Sequence, residues 1–173
     1  DKTARLLGLP YPGGRALDDL ARRGNPKAVP LPRGMMRKDT LDFSFSGLKT
    51  AVRLHLEREG VPEGEALADL AASIRAAIVE PLIAKTTLAA RRLGVRDVLL
   101  CGGVAANGAL RAGLAEALSA DGRRLFVPRP VYCTDNAAMV GAAGWMAFLE
   151  GERAGFDLNA DPGWRLDRAG AVG

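Results

Sequence analysis

The spacing of hydrophobic residues separates a helical first part of the chain from an alternating second part. Over roughly residues 66–93, Leu and Ile recur every three or four positions, which predicts a long amphipathic helix ended by Gly94. Shorter helices are predicted before a cap at Gly8 and over residues 15–23 and 48–58. The first part of the chain is therefore expected to be mainly helical.

Other segments have the spacing of β-strands. Phe43 and Phe45 alternate with serines over residues 42–47, which predicts a strand with both phenylalanines in the core. From residue 97 onward, apolar segments alternate with helical ones, and the first is apolar from Val98, as expected of a strand covered on both faces. The strands are predicted over residues 97–101 and 124–127, and the helices over 107–121 and 135–150. This alternation predicts an α/β fold with a parallel sheet.

The domain organisation follows from a break rich in Gly and Pro at residues 60–64. Residues 1–60 are predicted to be a helical and irregular insertion with one strand, and residues 61–150 the α/β core. Residues 151–173, rich in Gly, Asp and Arg, are predicted to be a loosely packed C-terminal tail. The chain opens at the end of a helix without an initiator Met, so we expect it to be a fragment of a longer protein.

Composition narrows the function classes only slightly. A formal net charge of +4 permits a nucleic-acid partner but does not single one out. Cys101 and Cys133 lie far apart, in a pattern that fits neither a disulfide scaffold nor a zinc site, so a cytoplasmic location is expected. No run approaches the ~18 apolar residues that a membrane-spanning helix needs, and no membrane partner is expected.

Gly102 and Gly103 form the strongest local candidate for a binding site. They follow the predicted strand and precede the predicted helix, where ligands bind at the carboxyl edge of open α/β sheets. Two glycines let the backbone approach a nucleotide, and Asn107 is placed to bind its ribose or phosphate. The alternative is that Asn107 only caps the helix and that the glycines only make a tight turn.

Asp135 and Lys49 are weaker candidates of the same kind. Asp135 follows the second strand, so its carboxylate is expected at the same sheet edge, as a metal ligand or an acceptor for a sugar. The alternative is that Thr134 or Asp135 is an ordinary N-cap. Lys49 begins a helix and is either a phosphate ligand or a solvated lysine, while the lone His55 lies in a polar face and is assigned no role.

Four segments in one order and spacing carry a family resemblance. These are DKTARLLGLPYPGG, DFSFSGLKTAV, CGGVAANGALR and CTDNAAMVGAAG, and the resemblance that they carry extends from Asp1 to about Glu150. With them the chain resembles the C-terminal half of the tRNA threonylcarbamoyladenosine transferases, formerly described as O-sialoglycoprotein endopeptidases. The resemblance implies an actin- and sugar-kinase-like (ribonuclease H-like) fold, of which this chain would be an incomplete second lobe with a helical insertion.

The resemblance also implies an activity and a set of site residues. Members transfer a threonylcarbamoyl group from threonylcarbamoyl-AMP to the N6 amine of adenosine 37 in tRNAs that read ANN codons. The resemblance places Asp1, Gly14, Asp18 and Asn107 in contact with the substrate. It makes Asp135 a ligand of one divalent metal, iron or alternatively zinc. It implies tRNA, an adenine nucleotide and the paralogous and ATPase subunits of the bacterial transfer complex as partners.

The chain departs from the family pattern in one large respect. The other metal ligands of the family are two histidines in an HxxxH helix, and this sequence has a single His. One Asp does not hold a transition metal, so we expect the fragment alone to be inactive and to bind no metal tightly. For tRNA contacts, the basic candidates are Arg37, Lys38 and Lys49.

Three other functions remain open on the sequence. One is a sugar- or acetate-kinase-like phosphotransferase of the same fold, which needs a phosphate-binding hairpin in another lobe. A second is a non-catalytic assembly subunit, which is expected to lack the Gly102-Gly103 and Thr134–Asn136 turns that this chain has. A third is the old protease assignment, for which this sequence offers neither a nucleophile nor a water-activating Glu beside a metal pair.

Overall fold

The computed structural model describes residues 1–36, 39–160 and 162–163. The chain forms two compact units, Asp1–Thr134 and Asp135–Gly173. The division predicted from the sequence, at residues 60 and 150, stays a prediction.

The first unit contains five α-helices and two strands in the described residues, and from residue 97 onward strand, helix and strand follow one another as predicted. Gly8, with a φ of +70°, follows α1, and Gly94, with a φ of +63°, follows α4, as the sequence predicts for glycine caps. The elements are α1 (Lys2–Leu6), α2 (Gly13–Ala21), α3 (Ser46–Glu59), α4 (Gly64–Arg92), β1 (Asp97–Leu99), α5 (Gly108–Ala120) and β2 (Arg124–Phe126).

The main core forms where α4 packs against α2 and α3. Leu70 and Ile74 of α4 are fully buried beside Ala21 of α2 and Val52 of α3. The chain after α2 comes very close to the α4 backbone because residue 24 is glycine, since a Cβ there would lie 2.0 Å from the carbonyl oxygen of Ala68. This packing holds α2, which carries two candidate site residues, against the N-terminal half of the long helix.

The sheet is parallel, as predicted, but β1 is not covered on both faces. β1 pairs with β2 in the register Val98↔Leu125 and Leu99↔Phe126. Val98 and Leu125 pack towards α4 and α5, whereas Leu99 is 75% exposed and Phe126 is 48% exposed. The expectation of a buried strand was wrong because both helices lie on one face of a sheet that has two strands in the described part of the chain.

The strand predicted over residues 42–47 is absent from that segment, all of which is described. The backbone is irregular up to Phe45 and enters α3 at Ser46. Phe43 is 46% exposed and Phe45 is 37% exposed, so the core position predicted for the two rings was also wrong. An alternating pattern makes a strand only where a neighbouring strand pairs with its backbone, and no strand in the described part of the chain pairs with this segment.

The second unit is built on α6 (Ala137–Leu149). The helix is capped by Asn136, whose side chain accepts a hydrogen bond from the Met139 amide at 3.0 Å, and not by Thr134 or Asp135 as one interpretation expected. Trp145 and Phe148 stack with their ring centroids 5.7 Å apart. In the described ranges, every helix is too short or too polar to span a bilayer.

Candidate functional site

The turn after β1 has a backbone shape that requires glycine. Gly102 has φ +87° and ψ 172°, a conformation that residues with a Cβ essentially do not adopt. A short 3₁₀ helix, Gly103–Ala106, then leads to α5, and its first bond runs from the Ala105 amide to the Gly102 carbonyl at 3.0 Å. The predicted strand-turn-helix is confirmed, with this extra turn inserted between the glycines and the helix.

Asn107 connects the turn to α2. Its side-chain oxygen accepts a hydrogen bond from the Leu110 amide at 2.9 Å, so it is the N-cap of α5. Its side-chain nitrogen donates to Oδ1 of Asp18 at 3.1 Å. Asn107 therefore caps α5, and its amide makes a second bond that a cap alone does not need; its contact with a ligand stays a prediction.

Asp18 is a buried carboxylate held from several sides. The residue is 7% exposed. Arg75 of α4 donates to Oδ1 at 3.3 Å and to the Ala21 carbonyl at 3.0 Å, and Arg22 lies 3.6 Å from Oδ2. Burial of a carboxylate is tolerated where cations and donors surround it. No pattern in the sequence singles out Arg75, because its contact with Asp18 joins residues 57 positions apart.

Asp1 and Gly14 form a second pair. The Gly14 amide donates to Oδ1 of Asp1 at 3.0 Å. The approach is close at the preceding residue too, since a Cβ at Gly13 would lie 2.5 Å from Cβ of Ala4. The four residues that the resemblance assigns to the substrate therefore form two hydrogen-bonded pairs, Asp1 with Gly14 and Asp18 with Asn107.

A cavity of about 550 Å³ joins the start of the chain to Cys101, Val104 and Ala105, which flank Gly102 and Gly103, and we call it the turn cavity. Leu48, Ile78 and Leu110 give it apolar surface. Its other lining residues include Asp1, Lys2, Lys49, Cys101, Val104 and Ala105. The structure thus brings together Asp1, Lys49 and the turn, three features that are far apart in the sequence.

A second cavity, of about 460 Å³, adjoins the turn cavity, and we call it the Tyr11 cavity. Asp1 and Lys2 line both cavities, while Arg5 and Tyr11 line only this one. Lys2 and Arg5 were missed at the sequence level, although both lie in the same motif as Asp1. Lys and Arg are mostly exposed to solvent in proteins, so the residue type alone does not show that a basic residue in a short motif lines a cavity.

Arg111 forms hydrogen bonds that link the turn after β1 to the loop after β2. Its guanidinium donates to the Ala105 carbonyl, to the Pro128 carbonyl at 3.1 Å and to Sγ of Cys133 at 3.0 Å. Cys133 is buried and Cys101 is exposed, and neither forms a disulfide. Arg111 was also missed, because its role depends on a loop that is 17 to 22 residues away in the chain.

Asp135 is the first residue of the second unit, so its expected place at the edge of the sheet stays a prediction. Among the described residues, no group of three or more His, Cys, Asp or Glu side chains is placed to hold a metal ion. His55 is half-buried in α3. Of the three basic candidates for RNA contact, Arg37 and Lys38 lie outside the described residues. The residues present therefore do not fit a metal centre by themselves.

Several other arginines, close to the sheet, form ion pairs with carboxylates. Hydrogen bonds from Arg91 and then Arg123 hold the pKa of Asp121 below its ordinary value of 3.8. A hydrogen bond from Arg124 likewise lowers the pKa of Asp97. These arginines stabilise the ends of α4, α5 and the strands, and their charges are largely compensated.

Comparison with known proteins gives a consistent result. A family model described as TsaD, tRNA N6-adenosine threonylcarbamoyltransferase, matches residues 1–142. A protein of that name from Anaeromyxobacter sp. (strain Fw109-5) is 56% identical over 167 residues, covering 96% of this chain and 50% of the relative. The one from Symbiobacterium thermophilum is 52% identical over 170 residues, covering 98% and 50%. The one from Geobacter sulfurreducens is 46% identical over 171 residues, covering 99% and 50%.

The matched range contains every candidate site residue, from Asp1 to Asp135. The chain spans about half the length of the curated relatives it matches.

Proposed function

The chain belongs to the tRNA N6-adenosine threonylcarbamoyltransferase family, and on that premise we propose that it is the C-terminal half of an enzyme making threonylcarbamoyladenosine in tRNA. The complete enzyme would transfer the threonylcarbamoyl group of threonylcarbamoyl-AMP to the N6 amine of adenosine 37, in tRNAs that read ANN codons. In that step a bond forms between N6 and the carbamoyl carbon, and the bond from that carbon to the phosphate oxygen breaks. AMP is the leaving group, and the amine loses a proton.

The observation that carries the proposal is the position of Asp1 beside the glycine turn. Asp1 is held by the Gly14 amide and lines the turn cavity together with Cys101, Val104 and Ala105, which flank the two glycines. A volume of about 550 Å³ lies within the range of small-molecule sites, which is roughly 300–1,000 Å³. Apolar side chains suit a nucleobase, and a carboxylate suits hydroxyl groups. Lys49 at the rim suits a phosphate, which extends the phosphate-ligand interpretation of this residue.

Asp18 and Asn107 would then act mainly by fixing the wall of the cavity. Asn107 uses one side-chain hydrogen bond to cap α5 and another to bind Asp18, so the start of α5 has a defined place relative to α2. The amide keeps one further N–H and one further lone pair with which to meet a ligand. A wall fixed in this way lowers the cost of ordering the site when the adenylate binds.

The fold of the complete lobe is also a proposal. A parallel pair of strands joined by a helix, β1–α5–β2, is the unit from which actin-like and ribonuclease H-like sheets are built. The exposed Leu99 and Phe126 side chains lie on a face that parallel sheets normally cover. Both features support an incomplete second lobe of such a fold, whose remaining layers come from elsewhere in the full-length protein.

A metal centre is not available from this chain alone. Asp135 is one oxygen ligand, the sequence has no HxxxH motif, and transition metals in proteins need three or four protein ligands. We assign no step of the reaction to a metal held by these residues. The contribution of this chain is to bind and orient the adenylate, and the isolated chain is inactive and binds neither iron nor zinc tightly.

The proposed partners follow from the proposed reaction. They are tRNA, threonylcarbamoyl-AMP and the paralogous and ATPase subunits of a bacterial transfer complex, and the proposed place of the reaction is the cytoplasm. The net charge of +4 is compatible with a polyanionic partner but does not select one.

A transfer assay tests the function. The full-length protein, with its assisting subunits, is incubated with threonylcarbamoyl-AMP and tRNA, and the digested nucleosides are analysed by mass spectrometry. Threonylcarbamoyladenosine should form with the full-length protein and not with the 173-residue chain. No product from the complete system, or equal product from the isolated chain, would overturn the proposal.

A further inference from the structure

Tyr11 presents an almost fully exposed aromatic ring at the mouth of a cavity. The residue is 90% exposed and lines the Tyr11 cavity beside Asp1, Lys2 and Arg5. A large ring gains about 1.5–3 kcal/mol when it is buried rather than left in water, so a partner that covers the Tyr11 ring would gain this free energy. A flat apolar surface next to two cations suits a ligand that has a flat ring and a negative charge.

The two cations beside Tyr11 differ from the arginines near the sheet. Arg91, Arg123 and Arg124 are each paired with an aspartate. In residues 1–36, 39–160 and 162–163, no carboxylate lies within 4.0 Å of the charged groups of Lys2 or Arg5, and both residues are exposed. Their charge is therefore free to meet phosphate groups.

The Tyr11 cavity and the turn cavity share Asp1 and Lys2. A ligand in the turn cavity and a ligand against Tyr11 would therefore meet on either side of the Asp1 carboxylate. A transfer reaction needs its donor and acceptor in such adjacent positions, because bringing the reacting groups together supplies a large part of the rate enhancement.

We propose that Tyr11, Lys2 and Arg5 form the acceptor site, in which an unstacked purine of a single-stranded RNA loop lies on the Tyr11 ring while Lys2 and Arg5 bind its flanking phosphates. This inference rests on the proposed function, which makes the acceptor an adenosine in the anticodon loop. Proteins recognise single-stranded RNA by stacking exposed bases on aromatic rings and by placing cations along the backbone. The chain has both elements beside the cavity proposed for the donor.

The test measures binding of a fluorescein-labelled anticodon stem-loop to the full-length protein by fluorescence anisotropy. Two RNAs are compared, one with adenosine at position 37 and one with an abasic site there. Tyr11→Ala should weaken binding of the adenosine RNA about tenfold or more, and Tyr11→Phe should leave it nearly unchanged, because stacking needs the ring and not the hydroxyl. On the abasic RNA, Tyr11→Ala should have no effect beyond twofold.

Phe156→Ala is the matched control, since Phe156 is also fully exposed but lines neither cavity. It should bind both RNAs as the unchanged protein does. Equal loss on the adenosine and abasic RNAs would overturn the stacking site, as would unchanged binding by Tyr11→Ala.

The cations are tested by the dependence of affinity on salt. Lys2→Ala and Arg5→Ala should each reduce the slope of log Kd against log salt concentration by about 0.7, the value for one phosphate contact on a single strand. Lys27→Ala, which removes an exposed lysine outside both cavities, should leave the slope unchanged. Slopes that do not change with Lys2→Ala and Arg5→Ala would contradict their assignment.

These binding measurements separate the acceptor site from the proposed function. If the full-length protein fails to make threonylcarbamoyladenosine but Tyr11→Ala still discriminates the two RNAs, the function is wrong and the RNA site stands. If transfer occurs and Tyr11→Ala leaves the KM for tRNA unchanged, the function stands and the acceptor site is wrong. With both correct, Tyr11→Ala raises the KM for tRNA about tenfold and leaves the KM for threonylcarbamoyl-AMP within twofold.

Discussion

The side-chain nitrogen of Asn107 donates a hydrogen bond to Oδ1 of Asp18 at 3.1 Å, joining the start of α5 to α2 across 89 positions of sequence. The same carboxylate oxygen accepts a hydrogen bond from Arg75 of α4. Three helices therefore meet at one buried carboxylate, which binds the residue that follows the short 3₁₀ helix of the turn. Because the Asn107 oxygen caps α5, its amide has only one orientation that satisfies both bonds.

Asn107→Asp should destabilise the chain by about 1.5–3 kcal/mol, the usual worth of a hydrogen bond to a charged group. The new carboxylate still caps α5, but it has no N–H to donate and it repels Asp18. Urea unfolding followed by circular dichroism measures the effect. In a double-mutant cycle with Asp18→Asn, the coupling free energy between the two positions should be at least about 1 kcal/mol. Purely additive effects would show that the two side chains do not interact.

The two glycines of the turn should respond differently to Ala. Gly102→Ala should cost about 1–3 kcal/mol of stability, because a φ of +87° strains any residue with a Cβ. Gly103→Ala should change stability by less than about 0.5 kcal/mol, since its nearest neighbour outside the turn would be Cγ2 of Thr134 at 4.0 Å. Thermal unfolding of both variants checks this difference.

Gly103→Ala also distinguishes the ligand-binding interpretation of the turn from the purely structural one. If the glycine keeps space for the adenylate, Gly103→Ala in the full-length enzyme should raise the KM for threonylcarbamoyl-AMP by about tenfold or more, from overpacking against the ligand. If the turn is only structural, Gly103→Ala will have unchanged kinetics as well as unchanged stability.

Asp121 should make stability depend on acid. Arg91 and Arg123 lower its pKa in the folded state, so the unfolded chain binds the proton more tightly. The stabilisation is present above the ordinary value of 3.8 and is lost as the pH falls through the lower, folded-state pKa. In Asp121→Asn, the urea concentration at the unfolding midpoint should fall less steeply as the pH is lowered from about 5.

Glu116→Gln is the control for that experiment, because it removes one negative charge from an exposed position of the same helix. It should keep the acid dependence of the unchanged chain. The same flattening in both variants would mean that net charge, and not the arginine pair around Asp121, produces the acid dependence.

Local signals account for what the sequence predicted well. Gly8 and Gly94 end their helices because only glycine adopts the positive φ at low cost, and this preference is visible in the residue type. The succession of β1, α5 and β2 was equally visible in the spacing of apolar residues. Asp1, Gly14 and Asn107 were found through motifs, and the structure adds which of them touch.

Long-range packing accounts for what the sequence missed. An alternating segment such as residues 42–47 gives no information on whether another strand lies beside it, so Phe43 was placed wrongly in the core. The pattern of Val98 and Leu99 likewise does not tell how many faces of the sheet are covered. Arg75 and Arg111 act through partners that are distant in sequence, and no spacing rule connects such residues.

The central claim is that the turn cavity holds the adenylate, and Cys101 allows a direct test. Cys101 is an exposed thiol in the lining of this cavity, whereas Cys133 is buried. A bound ligand should block a maleimide from the Cys101 thiolate, because alkylation requires access to the sulfur. Labelling is read by mass spectrometry of the peptide that contains Cys101, in the full-length protein.

The decisive measurement is the rate of Cys101 labelling with and without a saturating, non-hydrolysable analogue of threonylcarbamoyl-AMP. We predict that the analogue slows labelling about tenfold or more, and that Asp1→Asn raises the analogue concentration needed for half protection by a similar factor. A Cys101 labelling rate that saturating analogue leaves unchanged, in a protein that binds the analogue, would place the adenylate elsewhere and contradict the account.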